Sequence, residues 1–161
     1  MSEDKLKADQ WFVASLQAHR ETMFRTAMAM LRRAADAEDA VSTATINTYA
    51  RLHLIRNRDS IRSYLIKATV NAAHNQLRRR KRSETIATEL MADNAATVSE
   101  NPLWFYLDTL SPKIRLTLQL RYGENLPLNE ICRILRLPKG TVSARINRGL
   151  ARLREMMEKE I

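Results

Sequence analysis

The side chains best suited to chemistry in this sequence are the cations, hydroxyls and amides of residues 139–148. Guanidinium, ammonium and hydroxyl groups donate hydrogen bonds to phosphate oxygens, and guanidinium and amide groups also pair with the edges of bases. The segment therefore predicts contact with nucleic acid. The residues expected near the start or on the outer side of the element that carries it are Lys139, Thr141, Ser143, Ala144, Arg145, Asn147 and Arg148.

Two short helices must position this segment. The first carries an apolar stripe at three- and four-residue spacing, formed by Leu128, Ile131, Ile134 and Leu135. Pro138 disfavours helical geometry at Leu137 and so ends this helix, and Thr141 is the predicted N-cap of the next one. The inward face of the second helix is formed by Val142, Ile146, Leu150 and Leu153. The pattern is that of a helix-turn-helix, in which the start of the second helix enters the major groove of DNA.

The charge of the whole chain favours this interpretation over an ordinary helical hairpin with a solvated basic face. The 161 residues carry a net charge of +9, with an isoelectric point near 10.2. Residues 1–82 hold 16 basic and 8 acidic side chains, and residues 111–161 hold 11 and 5. Residues 83–110 hold five acids and no Lys or Arg. Two basic blocks around an acidic segment indicate two DNA-facing domains and a connector that avoids DNA.

The composition predicts an all-α fold, because three Gly and four Pro stand among abundant helix-forming residues. Cys132 is the single cysteine, which excludes an internal disulfide and a thiolate metal cluster, and its apolar neighbours indicate a buried side chain. No stretch approaches the roughly 18 apolar residues of a membrane span, and the N-terminus lacks a signal-peptide core. We therefore expect a cytoplasmic protein with no membrane insertion and no cofactor.

The N-terminal block is predicted to form three or four helices. An apolar face from about residue 9 to 33 is followed by a helix with Asp36 as its candidate N-cap and with Ile46 and Tyr49 directed inward. A third helix, from about residue 60 to 80, directs Tyr64 inward. This helix carries three polar side chains suited to contact bases: Asn71, His74 and Asn75. Five consecutive cations follow, which are suited either to phosphates or simply to a helix end. They are Arg78, Arg79, Arg80, Lys81 and Arg82.

Three segments in this order resemble a bacterial RNA polymerase sigma factor of the extracytoplasmic-function group. They are AEDAV at 37–41, IRSYLIKATVNAAHNQLRRRKR at 61–82, and LSPKIRLTLQLRYGENLPLNEICRILRLPKGTVSARINRGLARLR at 110–154. The resemblance implies two small helical domains. A σ2-like bundle would span residues 1–82, a flexible acidic linker 83–105, and a σ4-like helix-turn-helix domain 106–161.

The resemblance also implies that the chain binds core RNA polymerase, at the β′ clamp coiled coil and the β flap. At the start of the second helix, Glu38 and Asp39 match the docking segment, and Ser42 stands where the family usually has Gln. Exposed carboxylates on a helix suit an arginine-rich coiled coil. Many relatives are held inactive by an anti-sigma factor, and the sequence neither identifies nor excludes one.

Promoter DNA is the second partner that the resemblance implies. Asn71 and Asn75 lie one helical turn apart, on the face that in the family holds unstacked bases of the −10 non-template strand. The cations of residues 78–82 would hold backbone phosphates. The family often has Asp where Asn75 stands and Trp where Tyr64 stands, so the base preference at −10 is expected to differ, with Tyr64 still filling the core position.

The segment 139–148 matches the −35 recognition helix of the family, with Arg145 and Arg148 as the main contacts to bases or phosphates. The preferred −35 sequence is expected to be this protein's own, because Ser143 and Ala144 replace a cation and a Ser that are common in the family. Arg136 stands where a turn glycine is usual, which leaves the geometry of the turn open.

Two other classes of function were weighed. A stand-alone helix-turn-helix regulator would carry a dimerisation element and read a palindromic site. The chain has no heptad repeat, and dimerisation would not explain its second basic helix, in the N-terminal block. A nucleic-acid enzyme is disfavoured because His19, His53 and His74 are scattered, without metal-ligand spacing or a Gly-rich phosphate loop. The sequence therefore predicts a protein that is not itself an enzyme and that joins the polymerase carrying out RNA synthesis.

Overall fold

The computed structural model describes residues 2–86 and 102–159. Within these two stretches the regular structure is helical, without strands, which agrees with the predicted fold class. The predicted flexible linker falls mostly on residues 87–101, outside the described residues.

Three long helices build the N-terminal group. They are α1 (Glu3–Leu31), α2 (Ala34–Ala50) and α3 (Ile61–Ile86), with short 3-10 turns at Leu52–Leu54 and Arg58–Ser60 between the last two. All three helices contact one another. The close approach of α2 depends on small side chains, because each of its buried alanines is fully enclosed; they are Ala37, Ala40 and Ala44.

Both ends of α1 follow from local chemistry. The Ser2 side chain accepts a hydrogen bond from the Lys5 backbone N–H at 3.3 Å, which caps the first turn. At the other end Arg32 adopts a left-handed conformation with φ of 62°, and its N–H donates to the Met28 carbonyl at 2.9 Å. The helix is thus longer at its N-terminus than the apolar periodicity predicted.

Several sequence predictions for the N-terminal group are wrong. Asp36 is not the N-cap of α2; it lies in the first turn, where its carboxylate pairs with Arg80 of α3. Ile46, Tyr49 and Tyr64 are not core residues, since they are 68, 44 and 45% exposed. Apolar periodicity identified these positions, but the alanines of α2 and the long side chains of α1 and α3 already fill the core, which leaves the larger side chains outside it.

The C-terminal group contains α4 (Pro102–Leu107), α5 (Pro112–Leu118), a π-helical turn (Gln119–Gly123), α6 (Leu128–Leu135) and α7 (Lys139–Lys159). The Ser111 side chain accepts from the Ile114 N–H, and Pro112 opens α5, as expected for a capped start.

Helix α7 carries the predicted inward face. Val142 and Ile146 are buried in the core, with Leu150 and Leu153 packed at its edge. Gly149 lies so close to α5 that a Cβ there would meet the Leu118 side chain at 2.7 Å, so the glycine permits this helix crossing. The prediction of Thr141 as N-cap is wrong, because α7 begins at Lys139.

The two helical groups pack against each other, α1 on α5 and the π-helical turn, and α3 on α6. We call this contact surface the seam. One hydrophobic core runs through both groups, from Met23 and Leu65 on one side to Leu116 and Ile131 on the other. The relative placement of the two groups is thereby part of the described fold.

Candidate nucleic-acid interface

The first half of α7 presents the predicted polar segment. Lys139, Asn147 and Arg148 are exposed. The other four members of the predicted set are half-buried: Thr141, Ser143, Ala144 and Arg145. The buried positions of the same helix, Val142 and Ile146, fix its orientation, so a continuous polar strip faces away from the helix-turn-helix core.

The turn between α6 and α7, whose geometry the sequence left open, is closed without a glycine. Arg136 adopts a left-handed conformation, with φ of 56° and ψ of 47°, directly after α6 ends. The Leu137 N–H then donates to the Cys132 carbonyl at 3.1 Å and closes the turn. This conformation costs a residue with a Cβ about 1 kcal/mol, a cost that the packing of both helices can offset. Cys132 itself is half-buried at the edge of the core, where complete burial was expected.

Helix α3 presents the second predicted surface. Asn71 and Asn75 are both exposed one turn apart, and His74 between them is half-buried. The five cations that follow differ in solvent exposure. Arg78, Arg79, Lys81 and Arg82 are exposed, whereas Arg80 is half-buried and pairs with Asp36 of α2.

The two surfaces meet at one end of the seam in a cleft of about 600 Å³, which we call the basic cleft. Its walls are apolar, with Met30 and Leu77 from the N-terminal group and Leu116, Leu135 and Leu137 from the C-terminal group. Ser111 is the one neutral polar side chain among the lining residues that the structure describes. The ionisable side chains there are all basic: His74, Arg78, Lys81, Lys113 and Arg145. The cleft therefore concentrates positive charge from both groups.

The pKa of His74 responds to this concentration of positive charge. Burial lowers the pKa of its imidazole, and the neighbouring charges of Arg78, Lys113 and Arg145 lower it further. Each cause disfavours an additional positive charge in the basic cleft. A polyanion placed there would reverse the electrostatic part of this effect.

Two family models match the chain in the order of its helical groups. The model described as Sigma-70 region 2 matches residues 16–83, and the model described as Sigma-70, region 4 matches residues 106–155. The chain is 29% identical over 153 residues to the RNA polymerase sigma-E factor of Streptomyces avermitilis, covering 91% of this chain and 85% of the relative. It is 26% identical over 171 residues to the ECF RNA polymerase sigma factor SigW of Bacillus subtilis, covering 94% and 91%. The chain belongs to the extracytoplasmic-function group of sigma-70 factors.

The fold of this sigma factor is also similar to a solved one. The sigma factor RpoE of Bartonella quintana, in complex with the anti-sigma factor NepR, matches with a TM-score of 0.78 and 19% identity. The match covers 91% of this chain and 96% of that chain. At this level of identity the likeness concerns the fold.

A third predicted site of the sigma factor lies away from the basic cleft. Glu38, Asp39 and Ser42 are all exposed on α2. Glu38 and Ser42 border a groove of about 780 Å³ between α1 and α2, whose wall includes Phe24 and Val41. The wall also includes Arg20 and Arg25, so the groove carries both signs of charge. Glu38 and Asp39 are exposed acids that a cationic partner helix could pair with.

Two features of the sigma factor were missed from the sequence. The segment between α2 and α3 exposes Arg51, His53, Arg56 and Arg58, and the Arg58 guanidinium lies 4.8 Å from the ring centre of Trp11. The spacing RLHLIRNRDS could have signalled a basic loop, but it lies outside the helical patterns that were sought. The second feature is Glu124, a buried acid whose importance no local pattern indicates.

Membrane and metal chemistry find no support in the residues described. No helix there is both long and apolar enough to cross a membrane. Over the same two stretches, no three metal-binding side chains of the His, Cys, Asp or Glu type come together.

Proposed function

We propose that this sigma factor binds core RNA polymerase and directs it to promoters, contacting −35 duplex with α7 and the −10 non-template strand with α3. The observation that carries the proposal is the coincidence of the region 2 and region 4 matches with the two helical groups that present these polar surfaces. RNA synthesis itself belongs to the polymerase in this proposal.

The proposed division of labour follows the charge pattern. Residues 1–82 form the σ2-like domain, residues 83–105 the acidic linker, and residues 106–161 the σ4-like domain. The polymerase contact and the two DNA contacts strengthen one another because each raises the effective concentration of the next. The proposed place of action is the cytoplasm.

The −35 contact is assigned to the first half of α7. Arg145 and Arg148 would pair with bases or phosphates, since guanidinium groups bind both in a bidentate manner. The remaining residues would anchor and orient the helix start on the DNA: Lys139, Thr141, Ser143, Ala144 and Asn147. The exposure of Lys139, Asn147 and Arg148 supports this assignment.

The −10 contact is assigned to the exposed amides of α3. Asn71 and Asn75 can each donate and accept on the edge of an unstacked base, and His74 lies between them. Phosphates would be held by Arg78, Arg79, Lys81 and Arg82. Arg80 would contribute less, because its guanidinium is already paired with Asp36.

The proposed polymerase contact on α2 is Glu38, Asp39 and Ser42, which would dock on the clamp coiled coil of β′. The C-terminal domain would contact the β flap. An anti-sigma factor is a further proposed partner, in keeping with the complex of the Bartonella quintana neighbour with NepR.

The −35 assignment is tested by promoter-specific transcription in vitro with Arg145→Ala. We expect a loss of about tenfold in −35-dependent initiation, because a specific base contact contributes about 1–3 kcal/mol. Binding to core polymerase should stay unchanged in a pull-down. Arg154→Ala, which removes the same charge from the exposed end of α7, is the matched control. Loss of core binding in Arg145→Ala would show that this part of α7 contacts the polymerase instead of the −35 element. Absence of core binding by the unmodified chain, with retardation of duplex DNA by the protein alone, would favour the stand-alone regulator.

The −10 assignment is tested by Asn71→Ala. We expect slower formation of the melted complex, measured by permanganate reactivity of unpaired thymines, with duplex binding before melting unchanged. Gln10→Ala removes an exposed amide from α1 and serves as the control. An equal loss before and after melting would remove Asn71 from contact with the single strand.

A further inference from the structure

The seam is closed at one end by a buried carboxylate. Glu124, in the loop that follows the π-helical turn, is 3% exposed in its side chain. Its carboxylate accepts hydrogen bonds from the Thr22 hydroxyl at 2.9 Å, from Arg25 Nε at 2.9 Å and from Arg62 Nη2 at 3.2 Å. All three donors belong to the N-terminal group, so one acid of the C-terminal group binds α1 and α3 together.

The backbone strengthens the same contact. Arg62 Nη2 also donates to the Glu124 carbonyl at 2.9 Å, and Gln119 Nε2 supports the carboxylate from its own side at 3.2 Å. Burial alone would raise the pKa of Glu124. The hydrogen bonds from Arg25, Thr22 and Arg62, with the charge of Arg25, outweigh burial and lower it. The acid is thus held ionised by its partners across the seam.

Other polar contacts also cross the seam. Arg32 pairs with Asp108 at 2.6 Å, and the Ser63 hydroxyl donates to Glu130. The buried Arg115 donates to the Ala29 carbonyl of α1. A contact built from ions has a property that an apolar contact lacks. When it opens, water solvates the separated charges, which lowers the cost of opening.

The closed arrangement is incompatible with simultaneous binding of both promoter elements. The −35 and −10 elements are separated by about 25 base pairs by definition, or about 85 Å along a duplex that rises about 3.4 Å per base pair. Arg145 of α7 and His74 of α3 line the same basic cleft. The surfaces of α3 and α7 thus lie side by side at one cleft, too close together to reach both elements of one duplex at once.

We propose that Glu124, with Thr22, Arg25 and Arg62, is a latch that holds the sigma factor in a closed form unable to engage both promoter elements. Opening separates the latch and frees the surfaces of α3 and α7. The inhibitory role rests on the proposed function, whereas the latch itself is a property of the isolated chain. The two are tested separately below.

The latch is tested by the distance between spin labels at Ala14→Cys in α1 and Ala151→Cys in α7, both exposed, with Cys132→Ala in the background. Thr22→Val removes one donor and keeps the shape, and Glu124→Gln removes the charge. We expect each to add a population at longer distance to the single short distance of the parent. Glu155→Gln, which removes an acid paired within α7, should leave the short distance alone.

A single short distance in Thr22→Val and in Glu124→Gln would overturn the latch. If Glu124→Gln unfolds, Thr22→Val still tests the latch, because Thr22→Val leaves every contact within the C-terminal group intact. Circular dichroism identifies such unfolding. A longer distance that also arises in Glu155→Gln would show that charge alone, not the latch, controls the seam.

The inhibitory role is tested by the affinity of the full chain for core polymerase. If the open fraction rises from about one tenth or less in the parent to about one half in the latch variants, the apparent Kd falls about fivefold or more. An opened distance with unchanged or weaker binding would overturn the inhibitory role. Absence of polymerase binding by the unmodified chain would overturn the proposed function and the inhibitory role together, whereas a closed Thr22→Val overturns the latch alone.

Discussion

The two ends of the seam differ in how they treat charge. At the latch, the carboxylate of Glu124 is surrounded by donors and two guanidinium groups, so opposite charges are paired. At the basic cleft, Lys113 and Arg145 meet with the same sign, and burial and these charges lower the pKa of the adjacent His74. One end of a single contact surface attracts, and the other end repels.

The two ends of the seam affect the energy of the closed form in opposite ways. Paired charges lower the energy of the closed form, as buried ion pairs do when their geometry is good and each ion is also hydrogen-bonded. Accumulated like charges raise its energy and are retained where a polyanion will neutralise them. We therefore propose that the latch serves the fold and that the basic cleft serves a polyanionic ligand, although both are built from charged side chains.

The sharpest way to break this comparison is to make the latch resemble the cleft. Glu124→Lys places a cation beside Arg25 and Arg62, and we expect the free energy of unfolding to fall by about 3 kcal/mol or more. Glu155→Lys, at an exposed site of α7, should change it by no more than about 0.5 kcal/mol. Urea unfolding followed by circular dichroism measures both, and equal losses would show that the latch has no special electrostatic role.

The pH dependence of stability separates the two ends. The folded pKa of Glu124 is below the ordinary value of 4.5, so its contribution is present above that pH and is lost as the pH falls through the folded pKa. Glu124→Gln should flatten the unfolding curve in that acid window. The measurement is the free energy of unfolding from pH 8 to pH 3.

His74 affects stability at higher pH than Glu124 does, below the ordinary histidine pKa of 6.5. The pKa of His74 in the folded protein is lower than this value. As the pH falls below 6.5 the unfolded chain binds the proton first, so stability is lost there. His74→Gln should reduce this loss. His19 should keep a residual dependence, since burial and Arg62 lower its pKa as well. An unchanged curve in His74→Gln would show that the basic cleft does not disfavour the protonated imidazole.

The smallest effect should come from reversing one charge in the basic cleft. Lys113→Glu converts a repulsion into an attraction, and we expect a gain of about 0.5 kcal/mol in stability because Lys113 is exposed. The pKa of His74, followed by NMR, should rise. Lys159→Glu at the end of α7 makes the same charge change far from the cleft and should leave the pKa of His74 unchanged.

Local patterns predicted the helical elements well. The stripe of α6, the break before Pro138 and the inward face of α7 are all confirmed, because helical periodicity and proline sterics act within a few residues. The left-handed Arg136 closes a turn that local rules had left open. The errors at Tyr49 and Tyr64 arose because periodicity does not tell how much of an apolar face the neighbouring helices cover.

The candidate site divides in the same way. Asn71, Asn75 and Arg148 were predicted from residue type and helical spacing, and each is exposed where a ligand can reach it. The pairing of Arg80 with Asp36 could not be predicted, since it depends on how α2 crosses α3. The five consecutive cations thus differ in burial: Arg80 is half-buried against α2, and the other four are exposed.

By itself the sequence determined the helical fold class, the helix-turn-helix, the basic and acidic blocks and the family, because these depend on spacing and composition along the chain. The tertiary structure alone decided that Glu124 meets Thr22, Arg25 and Arg62, and that His74 and Arg145 share a cleft. Such contacts join residues 62 to 102 positions apart. Helix packing, not local periodicity, brings them within hydrogen-bonding distance.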